Sequence, residues 1–348
     1  MSRDWILGWD LGGAHLKRAV LDGAGRLRQT TQIPCPLWQG LGSLHQALVR
    51  GAPRGRFAGQ RHALTMTGEM ADCFADRGQG VRRLLAAFEA HRDGAPLWVY
   101  AGAHGWLTPE AAARSPAAVA SQNWRSSAEA LARRRPTGLL VDIGSTTSDL
   151  VPWRDGRVRA QGTNDHERLV CGELVYSGVV RTPLMALAAD VALAGRRVPL
   201  MAERFAVTAD VYRILGGLPP GADQQPSADG APKTRAASRR RLARMVGCDA
   251  RERPAVVWDA LAREFAEAQL AALERAARRV LRAARLPADA PLVAAGVGGF
   301  LVAQLARRLG RPAVDFACAL GWGTRAARAA SWHAPAAAVA VLLREAGP

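Results

Sequence analysis

Gly8-Trp9-Asp10-Leu11-Gly12-Gly13-Ala14 near the start of the chain and Val141-Asp142-Ile143-Gly144-Ser145-Thr146 near its middle are two versions of one pattern. Each is a short apolar run that reads as a buried strand, reaches an aspartate and enters a glycine turn. Each then leads into a hairpin whose turn carries Asp-Gly followed by Arg, at Asp22-Gly23-Ala24-Gly25-Arg26 and at Asp155-Gly156-Arg157. The copies lie more than a third of the chain apart, too far for a short-period repeat, so they predict a duplicated domain. Strands alternating with helices in each copy predict mixed α/β sheets.

Outward from the first copy, strands are predicted at Asp4–Gly12, Leu16–Leu21 and Leu27–Ile33, followed by a helix near Leu37–Val49. A strand at Ala63–Thr67, a helix over Val81–His91 and a strand at Leu97–Ala101 follow. Pro109–Arg135 reads as one Ala-rich helical stretch, and Pro136-Thr137-Gly138 is the natural boundary. Strands restart at Leu139–Gly144 and Thr147–Trp153. Gly216–Arg241 is rich in Pro and Gly and ends in Arg239-Arg240-Arg241, so a long loop is expected there. A helix over Ala255–Arg285 precedes a strand, the glycine turn Gly296-Val297-Gly298-Gly299 and another helix. The expected organisation is two domains, 1–136 and 137–348, with an insertion around 203–255.

Composition narrows the function. The chain has 348 residues, 49% hydrophobic and 22% charged, which is globular and far from disorder. It holds no apolar run long enough to span a membrane. The N-terminus enters a strand pattern without an apolar signal core, so a cytoplasmic protein with no membrane partner is expected. Five scattered cysteines without a C-x-x-C pair argue against a disulfide framework or a zinc knuckle. The formal charge of +17 is almost all arginine, Lys17 and Lys233 being the only lysines. Aromatic residues are not interleaved with the basic runs as stacking platforms would be, so no nucleic-acid partner is expected.

Glycine just after a strand lets the backbone approach a phosphate, and an aspartate at the strand's end can hold Mg²⁺ against its oxygens. Asp10 and Asp142 are therefore the candidate metal ligands and catalytic carboxylates. Gly12 and Gly13, with Gly144, Ser145 and Thr146, are the candidate diphosphate contacts. Lys17 follows the first turn closely enough to reach a phosphate as a point charge. Gly298, in the third turn, suits an anion or a flat ring, and a plain strand-to-helix connection fits it equally. Asp165-His166-Glu167-Arg168 and Glu173, ahead of Arg181, offer a proton acceptor or a merely solvated charged segment. Lys233 in the insertion reads as part of a lid or as a surface lysine. No G-x-S-x-G elbow, H-E-x-x-H helix or Walker A loop occurs.

These stretches resemble the superfamily of actin, sugar and acetate kinases and heat-shock ATPases. Gly8–Lys17 looks like the opening of its hydantoinase/oxoprolinase-related branch. The likeness continues at Thr65–Asp72, Asp142–Asp149, Gly172–Tyr176, Arg181–Leu184, Thr208–Arg213, and Ala228–Gly230 with Lys233. Within that branch it points to a group linked to tetrahydromethanopterin-dependent one-carbon transfer, whose archaeal members are methanofuran synthases. The resemblance implies an α/β chain of two ribonuclease-H-like (actin-like ATPase) domains, each contributing a phosphate turn to a central cleft. It implies a transferase that joins an aminomethyl-furan-methyl diphosphate to a phenol oxygen and releases diphosphate. Its partners would be those small-molecule diphosphate and phenolic substrates, with Mg²⁺ as cofactor. Asp10 and Asp142 would then hold the metal, and the two turns, Lys17 and Arg181 would hold diphosphate. Asp165 or Glu173 would take the phenol proton, and Lys233 would close over the substrate. The acceptor stays open between tyramine- and tyrosine-derived phenols. An ATP-dependent small-molecule kinase or activating ATPase and a non-catalytic scaffold are the alternatives on the same fold.

Overall fold

The computed structural model describes residues 4–51, 59–92, 94–323 and 328–347. Strand β1 (Ile6–Leu11) is buried at every position, as a central strand covered on both faces must be. It pairs antiparallel with β2 (His15–Leu21), which pairs antiparallel with β3 (Leu27–Pro34). Helix α1 (Gly42–Gly51) follows, and β4 (Arg61–Met66) lies parallel to β1 on its other side. Helix α2 (Arg77–Glu89) starts where the Asp76 carboxylate accepts the Gln79 N–H. Strands β5 (Leu97–Tyr100) and β6 (Trp106–Leu107) complete a sheet of order β3-β2-β1-β4-β5-β6. The stretch expected as one helix is three: α3 (Pro109–Arg114), α4 (Pro116–Val119) and α5 (Asn123–Ala132). Pro116 lacks the N–H to continue α3, and Ser121 turns the chain at φ +52°.

The second copy starts with β7 (Gly138–Ile143), β8 (Ser148–Arg154) and β9 (Arg157–Val158). Helix α6 (Asp165–Cys171) is capped by Asn164 and stopped by Gly172 in the left-handed region. After β10 (Leu174–Val175) come the hairpin β11 (Asp190–Leu193) and β12 (Arg196–Pro199) and helix α7 (Thr208–Leu215). Helix α8 (Arg235–Arg244) corrects the expected loop, which had included the basic run. The long α9 (Ala255–Ala283) leads to β13 (Leu292–Ala295), α10 (Val302–Leu309) and β14 (Ala313–Asp315). The sheet order is β10-β8-β7-β13-β14, with β13 parallel to β7. Short helices α11 (Phe316–Ala319) and α12 (Arg328–Trp332) precede the terminal α13 (Ala334–Ala346).

The chain forms two compact units: Met1–Gly138 with Val151–Arg159 and Val314–Pro348, and Leu139–Leu150 with Ala160–Ala313. The C-terminal stretch thus belongs with the first copy of the turn, although it follows the second in sequence. Helix α13 packs on β1, β2, β4 and α5, and its Ala336 and Ala340 lie against Gly8. Small residues on both sides let helix and sheet backbones approach. In the second unit, a core of Leu184, Val211, Ile214, Leu242, Trp258 and Phe265 joins α7, α8 and α9. Among the described residues, no helix is long and apolar enough to cross a membrane.

Candidate functional site

The first turn is closed by the Gly12 N–H donating to the His15 carbonyl at 3.0 Å, and the second by Gly144 N–H donating to Thr147 at 2.8 Å. The two copies are therefore built alike at the hydrogen-bond level. This closure uses the amides of Gly12 and Gly144 within the turns themselves. The amides of Gly13, Ser145 and Thr146 make no hydrogen bond among the described residues, and these remain for an anion.

Asp10 lies opposite Lys17 on β2 and beside Thr65 on β4, and its carboxylate is 4% exposed. Paired residues project from the same sheet face, so these three side chains share the face of Gly8, which α13 covers. His333, immediately before α13, is buried beside them. Burial, aided by the Lys17 ammonium, pushes its imidazole down to about 4. His333 Nδ1 meets the Ala329 carbonyl at 2.6 Å. The Nε2 atom and the buried Thr65 hydroxyl have no hydrogen-bond partner among the described residues. Lys17, the lysine singled out by sequence as a phosphate contact, is thus in register with Asp10.

Around the second turn the structure gathers more than the sequence suggested. Segment 177–181 lies along it: Val179 N–H donates to Gly144 O, and the Val180 and Arg181 amides donate to Ser145 O. Gly178 is needed for that approach, since a Cβ there would fall 2.5 Å from the Thr146 nitrogen. The Arg181 guanidinium reaches Thr146 Oγ1 at 3.5 Å. Burial, and after it the neighbouring Arg204 guanidinium, hold Arg181 below the ordinary arginine range. The third turn abuts the same place. Gly298 N–H donates to Ile143 O at 2.8 Å, and Ala295 is in register with Asp142. Gly296, at φ +76°, has no room for a side chain, because a Cβ would sit 2.4 Å from Asp142 Oδ1. Asp142, Gly144, Ser145, Thr146, Arg181 and Gly298 therefore lie together.

Of three further expected residues, Glu173 and Lys233 are engaged with other groups, and Asp165 lies at the start of α6. Glu173 is 2% exposed, and its two carboxylate oxygens accept the Gln161 and Gly162 amides at 2.7 and 3.2 Å. It clamps backbone, which corrects its assignment as a proton acceptor. Asp165 opens α6, half-buried, behind the Asn164 cap. Lys233 is tied to Asp223, with Nζ 2.9 Å from its carbonyl and 3.1 Å from Oδ1. That lysine ties two parts of the insertion together.

Sequence reasoning passed over Gln269. This side chain, fully buried on α9, donates to Ser177 Oγ and Gly178 O and accepts from the Tyr212 hydroxyl. It therefore fixes segment 177–178 against the second turn. A glutamine on the apolar face of a long helix was the available signal. It also passed over the buried Asp210, whose Oδ1 receives Arg213, Ser238 and Arg241. Arg241 is itself fully buried and also pairs with Asp229.

The family profile for hydantoinase/oxoprolinase matches residues 60–322. A curated protein of Methanocaldococcus jannaschii is 32% identical over 245 residues, 70% of this chain and 72% of its own length. It is named as the synthase of a phenoxymethyl-furanyl methanamine whose phenoxy ring carries a γ-glutamylaminoethyl chain. A Methanococcus vannielii protein of the same name is 40% identical over 77 residues, 22% of this chain and 34% of its own length. Among solved structures, nucleotide-free acetone carboxylase, from work on ATP-dependent acetone carboxylation, aligns with a TM-score of 0.55 at 13% identity. The alignment covers 89% of this chain and 68% of that one, a likeness of fold alone.

Proposed function

Because the chain belongs to the hydantoinase/oxoprolinase family, we propose that it is a transferase in methanofuran-type cofactor synthesis, joining a furan-methyl group to a phenol oxygen. Its donor is an aminomethyl-furan-methyl diphosphate, and diphosphate leaves as the ether forms. The observation that carries this reading is the 32% identity across most of a relative whose named product contains that furan-methyl phenyl ether. The residues suit the chemistry. An electron-rich furan stabilises positive charge at its methylene carbon, so the protein's main task is to stabilise the departing diphosphate.

In this proposal the Ser145 and Thr146 amides and Arg181 receive diphosphate oxygens in the second unit. The Gly13 amide and Lys17 form a like set of donors at the first turn, taken by itself. Among the described residues no cluster of three or more metal-binding side chains exists. Single carboxylates at Asp10 and Asp142 fit Mg²⁺, which is commonly held by one or two carboxylates with phosphate oxygens completing its shell. Bound there, Mg²⁺ would neutralise charge on the leaving group. Asp165 takes the phenol proton, Glu173 being engaged with backbone. Purified protein supplied with the furan diphosphate, a phenol and Mg²⁺ should release diphosphate and ether in equal amounts, read by phosphorus NMR and mass spectrometry. Phosphoryl transfer from ATP with no ether formed would instead favour the kinase alternative.

A further inference from the structure

The chain holds three tyrosines. Tyr100 and Tyr212 are each 2% exposed, and their hydroxyls donate to Glu129 and Gln269. Tyr176 is 67% exposed. Trp38, in the first unit, is the other exposed aromatic among the described residues, so Tyr176 is the one in the second unit. A single exposed ring on a loose loop would mean little. Tyr176 is mounted differently, because the backbone on both sides of it is fixed. Val175 pairs with Ser148 in the sheet, and the Ser177 N–H donates to the Val175 carbonyl at 2.8 Å. Ser148 Oγ donates to the Ser177 carbonyl at 2.6 Å, and Gln269 holds the Ser177 hydroxyl. Next comes Gly178, packed against Ser145 and Thr146, and the chain then follows the second turn to Arg181. Burial and Arg204 lower the proton affinity of Arg181, and Tyr176 stands near enough to oppose them. A rigid mount that leaves an aromatic face open beside the second turn is what a ring-binding platform requires.

We propose that the Tyr176 ring is the face on which the furan ring of the diphosphate donor stacks. The inference rests on the transferase reading. One methylene carbon separates the furan ring from the diphosphate oxygen. A diphosphate received by the Ser145 and Thr146 amides and Arg181 therefore leaves the furan close to them, on the segment that carries Tyr176. A phenol attacking from the side opposite the leaving oxygen has its ring farther away. The chemistry gives the stack a second use. As the bond from the methylene carbon to the diphosphate oxygen breaks, its electron pair leaves with diphosphate and positive charge spreads over that carbon and the furan. The phenol oxygen supplies the pair for the new bond and gives up its proton. The face of a tyrosine ring is negative, so it attracts the charged furan-methyl group more strongly than the neutral donor ring. Tyr176 would thus hold the donor and favour its ionisation.

Equilibrium titration of the full chain with three probes reads the platform without turnover. The first is inorganic diphosphate. The second is a donor analogue with a methylene in place of the oxygen between the furan-methyl carbon and phosphorus, so that it cannot ionise. The third is that analogue with a methyl group in place of the furan ring. In the wild type the ring should raise affinity about 10-fold, the scale of one aromatic stack with its burial. Tyr176→Ala should bring the ratio of the two analogues close to one and leave diphosphate binding unchanged, whereas Tyr176→Phe should keep the ratio. The side chain is exposed, so both variants are expected to fold. A wild-type ratio near one, or an unchanged ratio in Tyr176→Ala, would overturn the inference. So would a Phe variant that behaves like Ala, since the hydroxyl and not the ring would then act. In the transfer assay Tyr176→Ala should lower kcat about 10-fold, with Tyr176→Phe near wild type. Ether formed at the wild-type rate by Tyr176→Ala would sink the inference and leave the transferase reading intact. A ring preference lost in Tyr176→Ala, with no ether formed by any variant, would sink the reaction and leave the platform.

Discussion

At the scale of single residues, Asp142 and His333 make separable predictions. Asp142 sits where the second and third turns meet, so Asp142→Asn should lower diphosphate release about 100-fold or more while circular dichroism stays native. A variant that keeps full activity would remove Asp142 from the chemistry. His333 is held at about 4, against an ordinary histidine value of 6.5, by burial and Lys17. Between those values the unfolded chain binds a proton that the folded chain refuses. Stability should therefore be full above about pH 6.5 and fall as pH drops to 4, by at most about 3 kcal/mol. Urea unfolding between pH 4 and 7 checks this, and His333→Gln should flatten that part of the profile. The strand-end places of Asp10 and Asp142 were legible because an apolar run, an aspartate and a glycine turn are local signals, while their roles and that of Lys17 belong to the proposal. Glu173 and Lys233 misled because a charged side chain in sequence does not disclose which backbone amide or carboxylate it meets.

At the scale of elements, the second turn is supported from behind by α9. Replacing Gln269 with Leu keeps the volume but leaves Ser177, Gly178 O and the Tyr212 hydroxyl short of partners in a buried place. Gln269→Leu should cost about 1–3 kcal/mol in urea unfolding and lower kcat/KM by loosening the segment that carries Arg181. An unchanged kcat/KM at reduced stability would show that the support is structural only. The strand–turn–strand units were readable from apolar runs and Asp-Gly turns, because those signals are local. Helix α8 was not. Its Arg239-Arg240-Arg241 run reads as solvated, and only Asp210 and Asp229, brought in by the folding of α7 and the insertion, make a buried Arg241 tolerable. The break of 109–135 into three helices was visible in Pro116, but its Ala-rich composition outweighed that signal.

At the scale of the whole chain, the duplicated turn and the family membership bear on one question: what a phosphate group held by the turns would belong to. The motif alone admits a nucleotide as readily as a leaving group, and the α/β fold is shared with ATP-dependent enzymes. The assignment of C-terminal α13 to the first unit was beyond sequence reading, since it depends on Ala336 and Ala340 meeting Gly8 from opposite ends of the chain. The account stands on a phenol oxygen forming a bond to the furan-methyl carbon as that carbon's bond to the diphosphate oxygen breaks, with no phosphorus–oxygen bond broken. Transfer with an acceptor labelled with ¹⁸O at the phenol position tests this most directly. The account predicts that the label stays in the ether and that diphosphate is released unlabelled and intact. Label appearing in a phosphate product, or orthophosphate released from ATP with no ether formed, would contradict it.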